Sequence, residues 1–264
     1  TKADIIVLCG VHFMGETAKI LCPDKKVLVP DLNAGCSLAD SCLATEFAEF
    51  VKQHPGHTVI SYVNTTAAVK AVTDVVVTST NARQIVESFP EGTPMIFGPD
   101  RNLGNYINSI TGRNMLLWDG ACHVHEQFSL EKILSLKKQY PNAEVITHPE
   151  CKQPVIQVSD FVGSTAALLK HTIKSDAKQF IVATESGVIH EMRKRSPDKE
   201  FIPAPPNDST CACNECNFMR LNTMEKLYNC LKFEMPEIFV DEEVQKKAIK
   251  PIKKMLEISE KLGL

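Results

Sequence analysis

The sequence predicts an α/β fold of repeated three-layer αβα units with small parallel sheets, in a pseudo-threefold arrangement whose first unit is incomplete. Three observations predict it. Short, near-continuous apolar or β-branched runs alternate with helical patterns, as buried parallel strands alternate with their crossovers. The stretch KQHPGHTVISYVN (Lys52–Asn64) returns as KQYPNAEVITHPE (Lys138–Glu150), at an offset of 86 residues that also carries DVVVTS (Asp74–Ser79) onto DFVGST (Asp160–Thr165). A cysteine returns as well, at Cys36, Cys122 and Cys216, separated by 86 and then 94 residues.

The elements follow in order. Strands are expected at 5–8, 27–29, 59–62, 75–78, 95–97, 115–118, 145–147, 161–163, 180–183 and 201–203. Helices are expected between them at 14–21, 45–53, 82–88, 102–110, 130–139, 166–174 and 188–195. A helix over 222–231 opens with Asn222 as its cap. The last runs over 241–262 with Val244, Ala248, Ile252 and Met255 on one face, and Pro251 should kink it. Its lysines read as a solvated face.

The units divide as 1–43, a partial first unit; 44–128, the second; 129–217, the third; and 218–264, C-terminal helices. IIVLCGVHFMGETAKI and KKVLVPDLNAGC match only the back half of a unit (PMIFGPDRNLGNYINSI and RNMLLWDGAC). A front half of about 40 residues is missing by the repeat length. The chain therefore reads as a fragment, because an orphan half-sheet exposes strand edges.

The 264 residues suffice for a large core without staples. A net charge of −3 gives no sign of a nucleic-acid or anionic-membrane partner. No apolar run approaches the roughly 20 residues of a membrane helix. The start lacks the features of a signal peptide, which favours the cytoplasm. Ten cysteines are many for a reducing compartment. Cys9, Cys22, Cys42 and Cys230 lie among apolar or helical neighbours and read as plain buried thiols.

Cys36, Cys122 and the Cys211/Cys213/Cys216 group lie in turn-like loops. Three thiolates on one centre point to an iron–sulfur cluster lacking a fourth protein ligand, whose open iron can act as a Lewis acid. Zinc on Cys211, Cys213, Cys216 and His123 or His125 is the competing reading, but it leaves the recurrence of Cys36 and Cys122 unexplained. The repeat places Tyr62 and Asn64 on the positions of His148 and Glu150, and Ser79 on Thr165, beside Ser164. In open α/β sheets strand C-terminal ends bind ligands, and following helix N-termini bind anions. Thr78-Ser79 and Ser164-Thr165 read equally as helix caps. His148 and Glu150, flanking Pro149, read as an acid/base pair. GPDRN (Gly98–Asn102) reads as a turn and helix start, and Cys151 stands outside the cluster set.

With these residues in place the chain resembles the quinolinate synthase (quinolinate synthetase A) family. The motifs are GVHFMGETAKIL with PDKKV, AGCSLAD, YVNTTA, TSTNA, FGPDRNLG, HVHEQF, THPEC, VGST and TESGVIHEM, spread over nearly the whole chain. The resemblance implies a transferase of NAD (pyridine nucleotide) biosynthesis that condenses iminoaspartate with dihydroxyacetone phosphate. Phosphate and water are lost and quinolinate forms. It implies a [4Fe–4S] cluster on Cys36, Cys122 and Cys216, the last chosen because it lies six residues before Asn222. Cys211 and Cys213 are then extra thiols. Tyr62, Asn64, Ser79, His148, Glu150, Ser164 and Thr165 would line the substrate cavity, with Tyr62, His148 and Glu150 catalytic. Functional coupling to an iminoaspartate-producing enzyme follows from the substrate. Family members carry further substrate groups in the missing front half, so a chain without it is expected to make no quinolinate. A non-catalytic iron–sulfur or zinc redox sensor is the alternative from another class.

Overall fold

The structure, a computed structural model, describes residues 1–208 and 215–264. Cys211 and Cys213 lie outside the described residues. The first sheet pairs β1 (Ile5–Val7) with β2 (Lys26–Leu28), connected through α1 (His12–Leu21). Two short helices, α2 (Ser37–Asp40) and α3 (Ala44–Lys52), follow. The second sheet holds β3 (Thr58–Tyr62), β4 (Val75–Val77), β5 (Met95–Gly98) and β6 (Leu116–Leu117), alternating with α4 (Ala67–Lys70), α5 (Ala82–Glu87) and α6 (Arg101–Thr111). After α7 (His123–Glu126) and α8 (Leu130–Gln139) comes the third sheet. It holds β7 (Glu144–Thr147), β8 (Phe161–Val162), β9 (Gln179–Ala183) and β10 (Glu200–Pro203), alternating with α9 (Gln153–Gln157), α10 (Thr165–Lys174) and α11 (Val188–Arg195). A 3-10 turn at Met219–Leu221 leads into α12 (Met224–Phe233) and α13 (Glu242–Lys261).

All three sheets are parallel. The second has the order β4-β3-β5-β6 and the third β8-β7-β9-β10, the same sequence of first, second, third and fourth strand. The strands read as apolar runs because both faces are covered: Val75–Val77, Met95–Phe97, Val145–Ile146 and Phe180–Ala183 are all buried. The repeat extends to single hydrogen bonds. Asp74 Oδ2 accepts from Val59 N at 2.8 Å, and Asp160 Oδ2 accepts from Val145 N at 2.8 Å. The Ser61 hydroxyl meets that of Thr73, and Thr147 meets Ser159. Thr73 donates to Val69 O and Ser159 to Val155 O, each at 2.8 Å. Every one of these residues finds its counterpart 86 positions on.

The described residues form two compact bodies. One comprises 1–100, 111–120 and 217–264; the other comprises 101–110 and 121–216. In the first, α13 lies on α4 and β4 and buries Ala248, Pro251, Ile252 and Met255, with Val244 half-buried. The helix runs through Pro251 without a break. Trp118 packs edge-on against Phe47 and Phe50 and donates from Nε1 to Ser41 O at 2.9 Å. A Cβ on Gly98 would lie 2.7 Å from the Trp118 Cβ, so only glycine fits there.

Some expectations need correction. Thr223, not Asn222, caps α12, its hydroxyl accepting from Lys226 N. Asn222 instead donates to Gly10 O at 2.9 Å. Thr78 and Ser79 do not cap α5: the helix starts after Asn81, whose Oδ1 accepts from Thr78 N. Cys9 is exposed and Cys22 half-buried, because both sit at element ends rather than inside them; Cys42 and Cys230 are buried as expected. The short helices α2, α4, α7 and α9 are too brief to show a period in sequence.

Candidate functional site

The candidate functional residues lie at two strand ends and on three cysteines, one strand end and one cysteine in the first compact body and the rest in the second. Cys36 and Cys122 occupy one structural position. Each is the extended residue immediately before a four-residue helix, α2 or α7, and each is half-buried. Cys36 belongs to the first compact body, Cys122 and Cys216 to the second. Cys216 is also half-buried, and its N–H donates to Glu185 Oε1 at 3.3 Å.

At the end of β3 the chain turns through Tyr62–Thr66. Tyr62 is buried and Asn64 half-buried. The Thr65 hydroxyl donates back to Tyr62 O at 2.9 Å. Lys70, with no exposed surface, points its ammonium into this turn. It donates to Val63 O at 2.9 Å, to Thr65 O, and to Thr65 Oγ1 at 3.3 Å. The two carbonyls flank Asn64. Glu16, whose Oε2 accepts from Ala67 N at 2.9 Å, supplies opposite charge nearby. Burial pushes the Lys70 pKa down to about 7, against the pull of Glu16 and Cys36.

At the end of β7 the turn runs through His148–Cys151. His148 and Glu150 are both buried. His148 Nδ1 accepts from Glu150 N–H at 3.3 Å, so the neutral ring carries its proton on Nε2. Burial pushes the His148 pKa down to about 4, keeping it neutral at physiological pH. His125, from α7, stacks on His148 with ring centroids 4.7 Å apart. Its Nδ1 lies 3.1 Å from Glu150 Oε2, at ion-pair distance but outside hydrogen-bonding geometry. Its Nε2 meets the Thr184 hydroxyl at 3.1 Å. Burial disfavours charge on His125, but the Glu150 carboxylate and the Cys122 sulfur together outweigh it and hold the pKa well above the ordinary histidine value. Cys122, His125 and Glu150 bring three ligand atoms within 4.8 Å of one another. Asn102 braces the turn, donating to Glu150 O at 3.1 Å and to Glu126 Oε1 at 2.6 Å. Arg101 and Lys152 pair with the same Glu126 carboxylate, at 3.1 and 3.3 Å.

Against this geometry the comparisons decide the family. The family model described as "Quinolinate synthetase A protein" matches residues 1–257. The chain belongs to the quinolinate synthetase A family. It is 57% identical over 259 residues to the quinolinate synthase of Thermosynechococcus vestitus, covering 98% of this chain and 81% of that protein. The quinolinate synthases of Chloroherpeton thalassium (56%) and of a Synechocystis strain (57%) match over 259 residues too.

Within that family assignment, the structure puts His148, Glu150, Ser164 and Thr165 in one body, and Tyr62, Asn64 and Ser79 in the other. Ser164 is buried and caps α10, its Oγ accepting from Ala167 N at 3.3 Å, while Thr165 is exposed at the first turn. Ser79 is half-buried. Sequence reasoning named His125 only as a zinc option and missed its approach to Glu150. It missed Lys70 and Thr184 altogether, and gave Asn102 only a structural part. A lysine inside the apolar stretch AAVKAV was the available signal for Lys70. Among the described residues no helix is long and apolar enough to cross a membrane.

Proposed function

We propose that this chain is a cytoplasmic quinolinate synthase, condensing iminoaspartate with dihydroxyacetone phosphate to quinolinate with loss of phosphate and water. The observation that carries the reading is the packing of His125 and Glu150 against Cys122 at a strand end, in a chain of this family.

The donors fit a [4Fe–4S] cluster. Cys36, Cys122 and Cys216 are all half-buried cysteines. Two of them take the same backbone position, the extended residue before a short helix. Thiolates are the ligands such clusters take. When bound, the cluster supplies an open iron as a Lewis acid for a hydroxyl or carboxylate oxygen.

The rest is done by the chain's own side chains. Neutral His148 donates from Nε2–H, since its Nδ1 is already an acceptor. Glu150 accepts a proton, with His125 holding the carboxylate in place. Ser164 and Thr165, at the start of the ten-residue α10, hold a carboxylate or phosphate group, as Ser79 does in the other body. Tyr62 and Asn64 position the sugar-phosphate portion, and in this reading the Tyr62 hydroxyl exchanges a proton with it.

The test begins with anaerobic reconstitution. About four irons and four sulfides per chain are expected. Failure to take up iron and sulfide after all zinc has been removed overturns the cofactor reading. Cys36→Ser, Cys122→Ser and Cys216→Ser should each lose the cluster, and Cys151→Ser should keep it. Quinolinate is then assayed for the 264-residue chain and for one extended by the front half the repeat calls for, about 40 residues. Quinolinate from the extended chain alone supports both the function and the need for that half. Quinolinate from neither overturns the function.

A further inference from the structure

We propose that Cys122, His125 and Glu150 form a second, mononuclear metal site, which takes one borderline-soft divalent cation such as Zn²⁺ or Co²⁺ when no cluster is present. The chemistry is read from four features. The three ligand atoms already lie within 4.8 Å of one another, a spread that one cation can draw together. His125 is 8% exposed, and its Nδ1 lies 3.1 Å from Glu150 Oε2 without hydrogen-bonding geometry. Once the ring gives up its Nδ1 proton, that nitrogen turns a lone pair toward a carboxylate and a cysteine sulfur, where a cation can take the proton's place. Third, the other ring nitrogen is engaged: Nε2 meets the Thr184 hydroxyl at 3.1 Å, and Thr184 is itself buried. Donation from Nε2–H to that oxygen fixes the tautomer that leaves Nδ1 free to ligate, as an outer partner does for a metal-bound histidine. Fourth, Glu150 is held from behind, its backbone carbonyl accepting from Asn102 at 3.1 Å and its N–H donating to His148.

The ligand set selects the ion. One thiolate, one imidazole and one carboxylate suit zinc, cobalt or ferrous iron and disfavour magnesium and calcium, which prefer all-oxygen shells. Three protein ligands leave a fourth position for water or another small ligand. Binding displaces protons from the Cys122 thiol and from His125 to solvent. The cation then replaces the imidazolium as the positive charge between sulfur and carboxylate.

The consequence is competition. The proposed cluster also needs the Cys122 sulfur, so the single ion and the cluster exclude each other. A zinc-loaded chain would be closed to cluster assembly until the zinc is removed. This competition rests on the cluster reading above; the ion site itself does not.

The experiment separates the two ligand sets. The cluster-free 264-residue chain is titrated anaerobically with Co²⁺ and then with Zn²⁺. One Co²⁺ per chain is expected, with a thiolate-to-cobalt charge-transfer band, bleached by Zn²⁺. Cys36→Ser and Cys216→Ser should keep that spectrum while losing the cluster. His125→Ala should keep the cluster and weaken Co²⁺ binding by about 100-fold or more, and Thr184→Val by about 10-fold. One equivalent of Zn²⁺ added before iron and sulfide should block cluster assembly in the unsubstituted chain but not in His125→Ala. Circular dichroism checks that each variant is folded. If Cys36→Ser loses the cobalt band, or His125→Ala keeps it at full affinity, the site is not this one. If the unsubstituted chain never takes a cluster but binds cobalt as described, the cluster reading fails and the ion site stands.

Discussion

At the end of β3 the chain turns around an ammonium; at the end of β7, 86 residues later, it turns around a carboxylate. The two strands stand on the same supports, with Asp74 and Asp160 latching Val59 and Val145, and the hydroxyl pairs Ser61–Thr73 and Thr147–Ser159 beneath. The difference lies in what fills the turn. Lys70 holds two carbonyls in the first, and its counterpart is Ile156, packed into the apolar core of the second. The second turn is held instead from outside, by Asn102 on the Glu150 carbonyl and His125 on the Glu150 carboxylate. On the proposed function, a turn fixed by its own buried lysine suits the positioning of substrate by Asn64 beside Tyr62. A turn whose titratable side chains are themselves the packed groups suits proton transfer.

The largest effect expected from this contrast is in catalysis. Glu150→Gln, measured in whichever chain makes quinolinate, should lower kcat by about 100- to 10,000-fold. KM should change little and iron content should be preserved. Asn64→Ala should instead raise KM more than it lowers kcat. If both variants show the same kcat and KM pattern, the division of labour between the two turns is wrong.

Next in size is the stability held by Lys70. Lys70→Met strands the Val63 and Thr65 carbonyls, each worth about 1–3 kcal/mol when buried and unpaired. Urea denaturation should show a loss of about 2–5 kcal/mol. The pH dependence has a definite sign. With the folded pKa near 7 and the free value at 10.5, the unfolded chain holds a proton the folded chain has released between those two values. Lys70 therefore makes stability rise with pH from about 7 upward, and contributes no slope below it. Glu16 and the Cys36 sulfur are the charged groups that face the ammonium, and both oppose the shift. The difference between the unsubstituted chain and Lys70→Met should grow across that window. A difference that stays flat with pH contradicts the depressed pKa.

A smaller and symmetric effect belongs to the shared supports. Asp74→Ala and Asp160→Ala each remove a 2.8 Å bond from a backbone N–H to a carboxylate. Each should cost about 1–3 kcal/mol. Asp160 also pairs with Lys137 at 2.9 Å, an exposed contact worth little. The two losses should agree within about 0.5 kcal/mol. A larger gap means the repeats are alike in outline but not in energetics.

How much of this was legible in sequence depends on the range of the forces involved. The strands were readable because a strand buried on both faces must be apolar throughout, and all ten expected strands appear. The common strand order follows from the repeat. His148, Glu150, Tyr62 and Asn64 were visible because they break apolar runs at strand ends. His125 against Glu150 was not, since residues 25 positions apart meet only through the packing of α7. Lys70 was hidden in a helix of four residues, where no periodicity can mark a buried face. Asn222 was misread because Asn and Thr are both good caps, and the adjoining Thr223 took the role.

The smallest contrast lies in two helix caps. Thr66 caps α4 in the first turn's repeat, its Oγ1 accepting from Val69 N at 3.3 Å; Ser164 caps α10, accepting from Ala167 N at 3.3 Å. The bonds are alike in length, and replacing either residue by alanine should cost about 1 kcal/mol. The helices differ in what stands at their starts. In α4 the first N–H, that of Ala67, is already taken by Glu16, which leaves no room for a bound anion. The first turn of the ten-residue α10 carries no acidic residue, and Thr165 there is exposed. Thr66→Ala should therefore lower the denaturation midpoint and leave KM for dihydroxyacetone phosphate and iminoaspartate unchanged. Ser164→Ala should lower the midpoint by a similar amount and also raise KM for one substrate several-fold, because its hydroxyl and the helix start act together on a negative group. Equal KM values in the two variants would show that both serines and threonines at these ends are caps and nothing more.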